Sequence, residues 1–250
     1  MADTKVRTVL ITGSVRGIGE ATAVAFAEKG YNVAVNCRNK TRLAAAEKVA
    51  EKCRSFGVEA ECYAADVSVY DECRQMAEAV AARFGTIDVL VNNAGIYVVD
   101  MLSSASPEDY RKMVSVNQEA VFYMMKLCSK YMMKNKFGRI INITSSAGLH
   151  GAMGLFSYSA AKGAVAAMTK SAAKELASRG ITVNAVAPGM VRTDMAAEYT
   201  DEQKKLFLRN VGMHRFGEPG EIAAAAVFLA SDEAAYITGD IIEVNGSLSK

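Results

Sequence analysis

Val6-Arg7-Thr8-Val9-Leu10-Ile11-Thr12-Gly13-Ser14-Val15-Arg16-Gly17-Ile18-Gly19 decides the fold. Val6–Thr12 is apolar and β-branched, the pattern of a buried strand. It runs into three glycines spaced Gly-x-x-x-Gly-x-Gly, and Gly19–Lys29 continues with helical periodicity until Gly30 stops it. Glycines at such a strand-to-helix turn permit a tight bend and let a pyrophosphate approach the N–H groups of a helix N-terminus. Gly13, Ser14, Arg16, Gly17, Ile18 and Gly19 are therefore candidate dinucleotide ligands. A glycine loop by itself also suits a plain turn, so the surrounding chain must supply the context.

Outward from this loop, short apolar strands alternate with longer helical segments. Strands are predicted at Asn32–Asn36, Ala60–Ala65, Val89–Asn92, Arg139–Thr144, Thr182–Ala187 and Ile241–Val244. Helices are predicted at Thr41–Phe56, Tyr70–Phe84, Pro107–Asn135, Ser157–Arg179 and Glu218–Ser231, with Ser106 capping the third. Strands apolar on both faces belong to parallel sheets, and the alternation implies right-handed crossovers. The prediction is α/β: one domain over residues 1–250, a doubly wound parallel sheet of Rossmann type. Met190–Phe216, polar and Met-rich, interrupts the alternation and is a candidate substrate lid over residues 190–216.

Hydrophobic residues make up 51% of the 250 and charged ones 22%, which fits a large core and excludes a disordered chain. A net charge of +2, with both signs interspersed, gives no case for nucleic acid or a membrane surface. No uncharged run is long enough to span a bilayer. Cys37, Cys53, Cys62, Cys73 and Cys128 form an odd set without a Cys-x-x-Cys pair, which argues against disulfides or a metal site. With an early charge and no signal-like start, a reducing cytoplasm is the expected setting.

The second predicted strand ends Val35-Asn36-Cys37-Arg38. Selection of NAD usually places an acid here for the ribose 2′-hydroxyl. Arg38 and Arg16 instead suit a 2′-phosphate, so NADPH is the expected cofactor, with NADH possible. Both arginines would also be ordinary on a solvated surface.

Tyr158 and Lys162 are one helical turn apart and follow Ser145, which ends an apolar strand. An ammonium beside a phenol favours the phenolate, and a serine hydroxyl can hold the same reacting oxygen. Together they form a proton-transfer site for an alcohol–ketone pair. Thr144 and Ser146 flank Ser145, and the strand pattern does not rank the three hydroxyls.

These motifs, in this order, resemble the short-chain dehydrogenase/reductase family across essentially the whole chain. The resemblance assigns Ser145, Tyr158, Lys162 and Asn117 as catalytic, with Asn117 seating a water chain. It adds Asp66-Val67 at the adenine, Asn92-Asn93-Ala94-Gly95 along the nicotinamide side, and Pro188, Gly189, Val191 and Thr193 beside it. Substrate contacts expected with Ser145 and Tyr158 are Tyr97, Leu149, Met153, Met190 and Met195. His150 lies in the same loop and reads as a surface residue or a contact to a polar substrate group.

Within the family, Ser178–Asn184 and Leu229–Gly239 resemble bacterial 3-oxoacyl-(acyl-carrier-protein) reductases. That implies NADPH-dependent carbonyl reduction and a possible acyl carrier protein partner, with Lys136 and Arg179 flanking the pocket entrance. Alternatives are a dehydrogenase of a free alcohol such as a hydroxysteroid, and a cofactor-binding regulator without turnover. The resemblance also implies a homotetramer, for which the alanines Ala160, Ala161, Ala164 and Ala167 would permit close helix contact.

Overall fold

The computed structural model describes residues 6–193 and 200–248. Seven parallel strands form one sheet: β1 (Thr8–Ile11), β2 (Asn32–Cys37), β3 (Ala60–Ala64), β4 (Val89–Asn92), β5 (Gly138–Ile143), β6 (Ile181–Pro188) and β7 (Ile241–Val244). Their spatial order is β3-β2-β1-β4-β5-β6-β7. The chain winds outward from β1 to β3, then returns to β4 on the other side of β1. The strand order reverses there, and the crevice outside the C-terminal strand ends at such a reversal is where α/β sheets bind ligands.

The period of two along each strand sends alternate side chains to two separate cores. Val9, Ile11, Val33, Val35, Val89 and Val91 face one side, where α1 (Gly17–Glu28) and α2 (Leu43–Arg54) supply Phe26, Val49 and Cys53. Leu10, Ala34, Leu90 and Ile140 face the other, beneath α3 (Tyr70–Phe84). Val80 and Met76 of α3 meet them there. This two-sided burial is why the strands read as continuous apolar runs.

Helix predicted over Pro107–Asn135 is continuous but not uniform. It consists of α4 (Pro107–Val114), a π-helical turn (Ser115–Glu119) and α5 (Ala120–Asn135). Ser106 caps α4 as expected, accepting from Asp109 N at 2.9 Å. Beyond β5, a short α6 (Ser146–His150) that the sequence pattern does not predict precedes α7 (Phe156–Leu176). The lid segment contains a second unpredicted helix, α8 (Asp201–Leu208). Thr200 and Gln203 close its N-terminus with a capping box, a start signal that the surrounding polarity obscures. The last helix, α9 (Pro219–Ala230), packs beside α1, with Glu218 and Glu221 forming its own box.

Lys136 and Arg179 require a correction. Both are exposed, but they precede β5 and β6, at the N-terminal edge of the sheet. Ser145 follows the C-terminal end of β5. Six strand residues separate the two edges, roughly 20 Å. Within one chain these cations do not flank the crevice.

Candidate active site

A cleft of about 810 Å³ runs along the C-terminal ends of the strands. Its floor begins at the turn between β1 and α1. Gly13 and Gly17 have φ of +62° and +57°, a region glycine enters without strain. A Cβ on Gly19 would lie 2.5 Å from both Gly13 O and Asn93 Nδ2, so no side chain fits there. Asn36 fixes the turn from β2, its Oδ1 accepting from Gly13 N at 3.0 Å. Asn93 fixes it from β4, its Nδ2 donating to the carbonyls of Thr12 and Gly13, each at 3.0 Å. Thr12 Oγ1 in turn accepts from Asn93 N and Ala94 N. The result is a rigid concave loop at a helix N-terminus, into which backbone can approach an anionic pyrophosphate closely.

One end of the cleft is basic. Arg16, Arg38 and Arg42 line it and are exposed. Arg38 Nε donates to Asp66 Oδ2 at 2.8 Å, and Asp66 Oδ1 accepts from Ser68 N and Oγ. Burial would raise the Asp66 carboxyl, but the Ser68 and Arg38 hydrogen bonds together hold it below the ordinary carboxylate range. Asp66 is thus a fixed charge that aims Arg38 along the cleft wall. β2 carries no acid at its end, as the sequence indicates.

Ser145, Tyr158 and Lys162 line the same cleft. Ser145 is the N-cap of α6, accepting from Ala147 N at 3.2 Å, and its hydroxyl lies beside the Tyr158 phenol. Flanking hydroxyls are directed elsewhere: Thr144 Oγ1 donates to Lys162 O at 2.8 Å, and Ser146 is buried. Of the three hydroxyls, that of Ser145 is the one beside Tyr158. Lys162 is 3% exposed and donates to Ile143 O at 2.7 Å. Its Nζ lies 6.0 Å from the centroid of the Tyr158 ring. Burial pulls the Lys162 ammonium down to about 8. Burial also pushes the Tyr158 phenol up, more than the neighbouring Ser145 hydroxyl pulls it down. Gly148 seats this helix, since a Cβ there would meet the Lys162 backbone at 2.7 Å.

A family model described as enoyl-(acyl carrier protein) reductase matches residues 13–249. The chain is 43% identical to the 3-oxoacyl-(acyl-carrier-protein) reductase FabG of Staphylococcus epidermidis, over 97% of this chain and 98% of that one. It is 45% identical to the 3-oxoacyl-(acyl-carrier-protein) reductase of Synechocystis, over 96% and 95%. The crystal structure of 3-oxoacyl-(acyl-carrier protein) reductase from Brucella melitensis superposes with a TM-score of 0.91 at 34% identity, covering 98% of this chain and 92% of that one. The chain belongs to the short-chain dehydrogenase/reductase family. It is an NAD(P)-dependent oxidoreductase.

Most positions expected of a short-chain dehydrogenase/reductase meet in this one cleft. Gly13, Arg16, Gly17, Ile18, Gly19, Arg38, Asp66, Val67, Asn93, Ala94, Gly95, Pro188, Gly189, Val191 and Thr193 line it, with Tyr97 and Met190. Ser14 does not. It is fully buried behind the loop, its hydroxyl donating to Ile11 O and accepting from Asn36 N, each at 3.0 Å. Asn117 is also fully buried, with Nδ2 donating to Ile96 O at 2.9 Å and Oδ1 accepting from Ile96 N at 3.0 Å. Its side chain braces the loop after β4 rather than facing the cleft. Leu149 and Met153 lie outside the cleft lining, Met153 being 92% exposed, and Met195 lies outside the described residues. His150 pairs with Glu243, Nε2 to Oε2 at 2.8 Å.

Leu155, expected in the pocket wall, lines the cleft; sequence reasoning missed Arg42 and the α4 pair Arg111 and Lys112, which line it too. Arg42 lies four residues beyond Arg38 in the turn after β2, and a count of the basic residues following that strand could have found it. The α4 pair carries no local signal and enters only through the packing of α4. Among the described residues, no cluster could hold a metal and no helix is long and apolar enough to cross a membrane.

Proposed function

We propose that this chain is an NADPH-dependent reductase of 3-oxoacyl thioesters, acting on substrates borne by acyl carrier protein. The observation that carries the reading is the Ser145–Tyr158 hydroxyl pair inside the nucleotide cleft, with Lys162 buried beside it. The glycine cradle fits a dinucleotide, and the Arg16, Arg38 and Arg42 end suits a 2′-phosphate. When bound, NADPH supplies the hydride. Everything else falls to the chain.

Reduction of a ketone leaves negative charge on oxygen, so the site must donate there. Ser145 holds and polarises the carbonyl oxygen, and Tyr158 delivers the proton. A phenol pushed up by burial stays protonated at neutral pH, which suits a donor. Lys162, as a cation near the nucleotide, stabilises the developing alkoxide and holds the ribose. Two hydroxyls converging on one oxygen favour a keto substrate over the alkene that the family description names. The named relatives carry the carrier-bound thioester.

An assay following NADPH absorbance with acetoacetyl thioester tests this reading. Turnover is expected on the coenzyme A thioester, with a lower KM on the carrier-bound one. Turnover of a keto-steroid but of neither thioester would overturn the substrate assignment. Tight NADPH binding without turnover of any carbonyl would return the regulator reading.

We also propose a cytoplasmic homotetramer. Ala160 and Ala167 of α7 and Phe122 of α5 are exposed, and Tyr236 after α9 is fully so. Ala161, by contrast, is buried within the chain. Light scattering should give four times the 26.7 kDa chain mass. A monomer at micromolar concentration would refute it.

A further inference from the structure

We propose that Asp100 is a positioning residue for Tyr158, capping from the loop after β4 the helix that carries the tyrosine. The proposal rests on the reading of Tyr158 as proton donor.

Helix α7 runs 21 residues, yet its own N-cap, Leu155, supplies no side-chain hydrogen bond. The first-turn N–H groups of a helix need acceptors. Asp100, more than fifty positions earlier, provides one. Its Oδ1 accepts from Ser157 N at 3.3 Å, and its Oδ2 accepts from Ser157 Oγ in a short contact. The backbone repeats the attachment: Asp100 N donates to Gly154 O at 2.9 Å, and Asp100 O accepts from Phe156 N at 3.4 Å. Asp100 and Leu155 form a parallel bridge. Four hydrogen bonds thus clasp one residue of the β4 loop to the segment that leads into α7.

Asp100 is only 6% exposed, and no ion pair reaches it among the described residues. A buried carboxylate without a cation is costly unless strong donors compensate it. Here the compensation is the N-terminus of α7 together with both donors of Ser157, itself fully buried. The charge and the helix start therefore fix each other. Ser157 directly precedes Tyr158, so any fraying of the first turn displaces the phenol from Ser145. Lys162 sits a turn further on, held separately by Ile143 O and by Gly148. Loss of the clasp should misplace the proton donor and spare the cation and the glycine loop.

The test compares Asp100→Ala and Asp100→Asn with the parent chain, using acetoacetyl-coenzyme A and NADPH. Asp100→Ala should lower kcat about ten- to a hundred-fold, the scale of a catalytic group displaced by an ångström, with NADPH Kd changed less than about threefold. Asp100→Asn keeps an acceptor oxygen for Ser157 and should recover most of kcat. Unchanged kcat in Asp100→Ala would overturn the proposal. So would equal loss of kcat and NADPH affinity, or an Asn variant as impaired as Ala. If Asp100→Ala does not fold, Ser157→Ala reads the same clasp: lowered kcat with NADPH affinity intact supports it, and unchanged kcat overturns it. Tyr158→Phe separates the two readings, since its retention of activity would refute Tyr158 as donor whatever Asp100 does.

Discussion

Lys162 and Tyr158 share a helix face, but the ammonium is directed to Ile143 O and lies 6.0 Å from the ring centroid. The sequence suggests that Lys162 lowers the phenol's pKa. Here burial raises Tyr158 and pulls Lys162 down to about 8. The consequence for catalysis has a definite sign. Reduction uses a protonated phenol and a charged lysine, and the lysine is the first of the two to lose its proton as pH rises. The kcat/KM for ketone reduction should therefore be level from pH 6 to about 7 and fall through about 8. A rate profile from pH 6 to 10 checks this; a level line through 8 would transfer the alkaline limb to Tyr158. At the other end of the cleft, Arg38→Asp should weaken NADPH binding and relatively improve NADH. An acid repels a 2′-phosphate and accepts from a 2′-hydroxyl. Side-by-side kinetics with the two cofactors measure it, and an unmodified enzyme that prefers NADH would contradict the assignment.

At the scale of elements, the π-helical turn at Ser115–Glu119 shows where sequence reading stops. Its residues have ordinary helical periodicity, and helix is correctly expected there. The extra residue in the turn is favoured by a tertiary contact, the bracing of Ile96 by Asn117, which no local pattern reveals. Asn117→Ala would leave Ile96 N and O without that partner in a confined site. A loss of roughly 2–4 kcal/mol follows from two unsatisfied groups. Urea unfolding should show a lower midpoint with unchanged slope; a midpoint within error of the parent would mean that water replaces the amide. The strands were legible because burial on both faces leaves a continuous apolar signature. The glycine loop was legible because its turn admits few side chains. Helix α8 was not, since its only strong signal is the Thr200–Gln203 box. Residues such as Arg111 and Lys112 reach the cleft by packing alone. Lys136 and Arg179 were misplaced because proximity to a catalytic strand says nothing about which end of it.

For the whole molecule, the five cysteines expected to be unpaired are free, and four of them are buried. Burial pushes Cys53 up to about 11 and Cys62 and Cys73 up to about 12, and Cys128 is raised as well. A thiol whose folded pKa lies above its unfolded value of 9.0 contributes stability that is complete below pH 9. That contribution is lost as pH rises through 9 toward 12, because the unfolded chain ionises first. Lys162 acts in the opposite sense. Its folded value of about 8 lies below the unfolded 10.5, so its term disfavours the fold below pH 8 and is relieved by 10.5. The raised thiols, Cys37 among them, outweigh one amine, and the fold should weaken between pH 9 and 10. Cys53, Cys62 and Cys73 each contribute about 1 kcal/mol to that drop. Cys73→Ala should therefore be less stable than the parent at pH 8, from lost packing, yet lose about 1 kcal/mol less on going from pH 9 to 10. Urea midpoints for both chains at pH 8, 9 and 10 make the comparison. Parallel curves would mean that the Cys73 thiol ionises equally in the folded and unfolded chains, and that its burial exerts no pull on the alkaline limit of the fold.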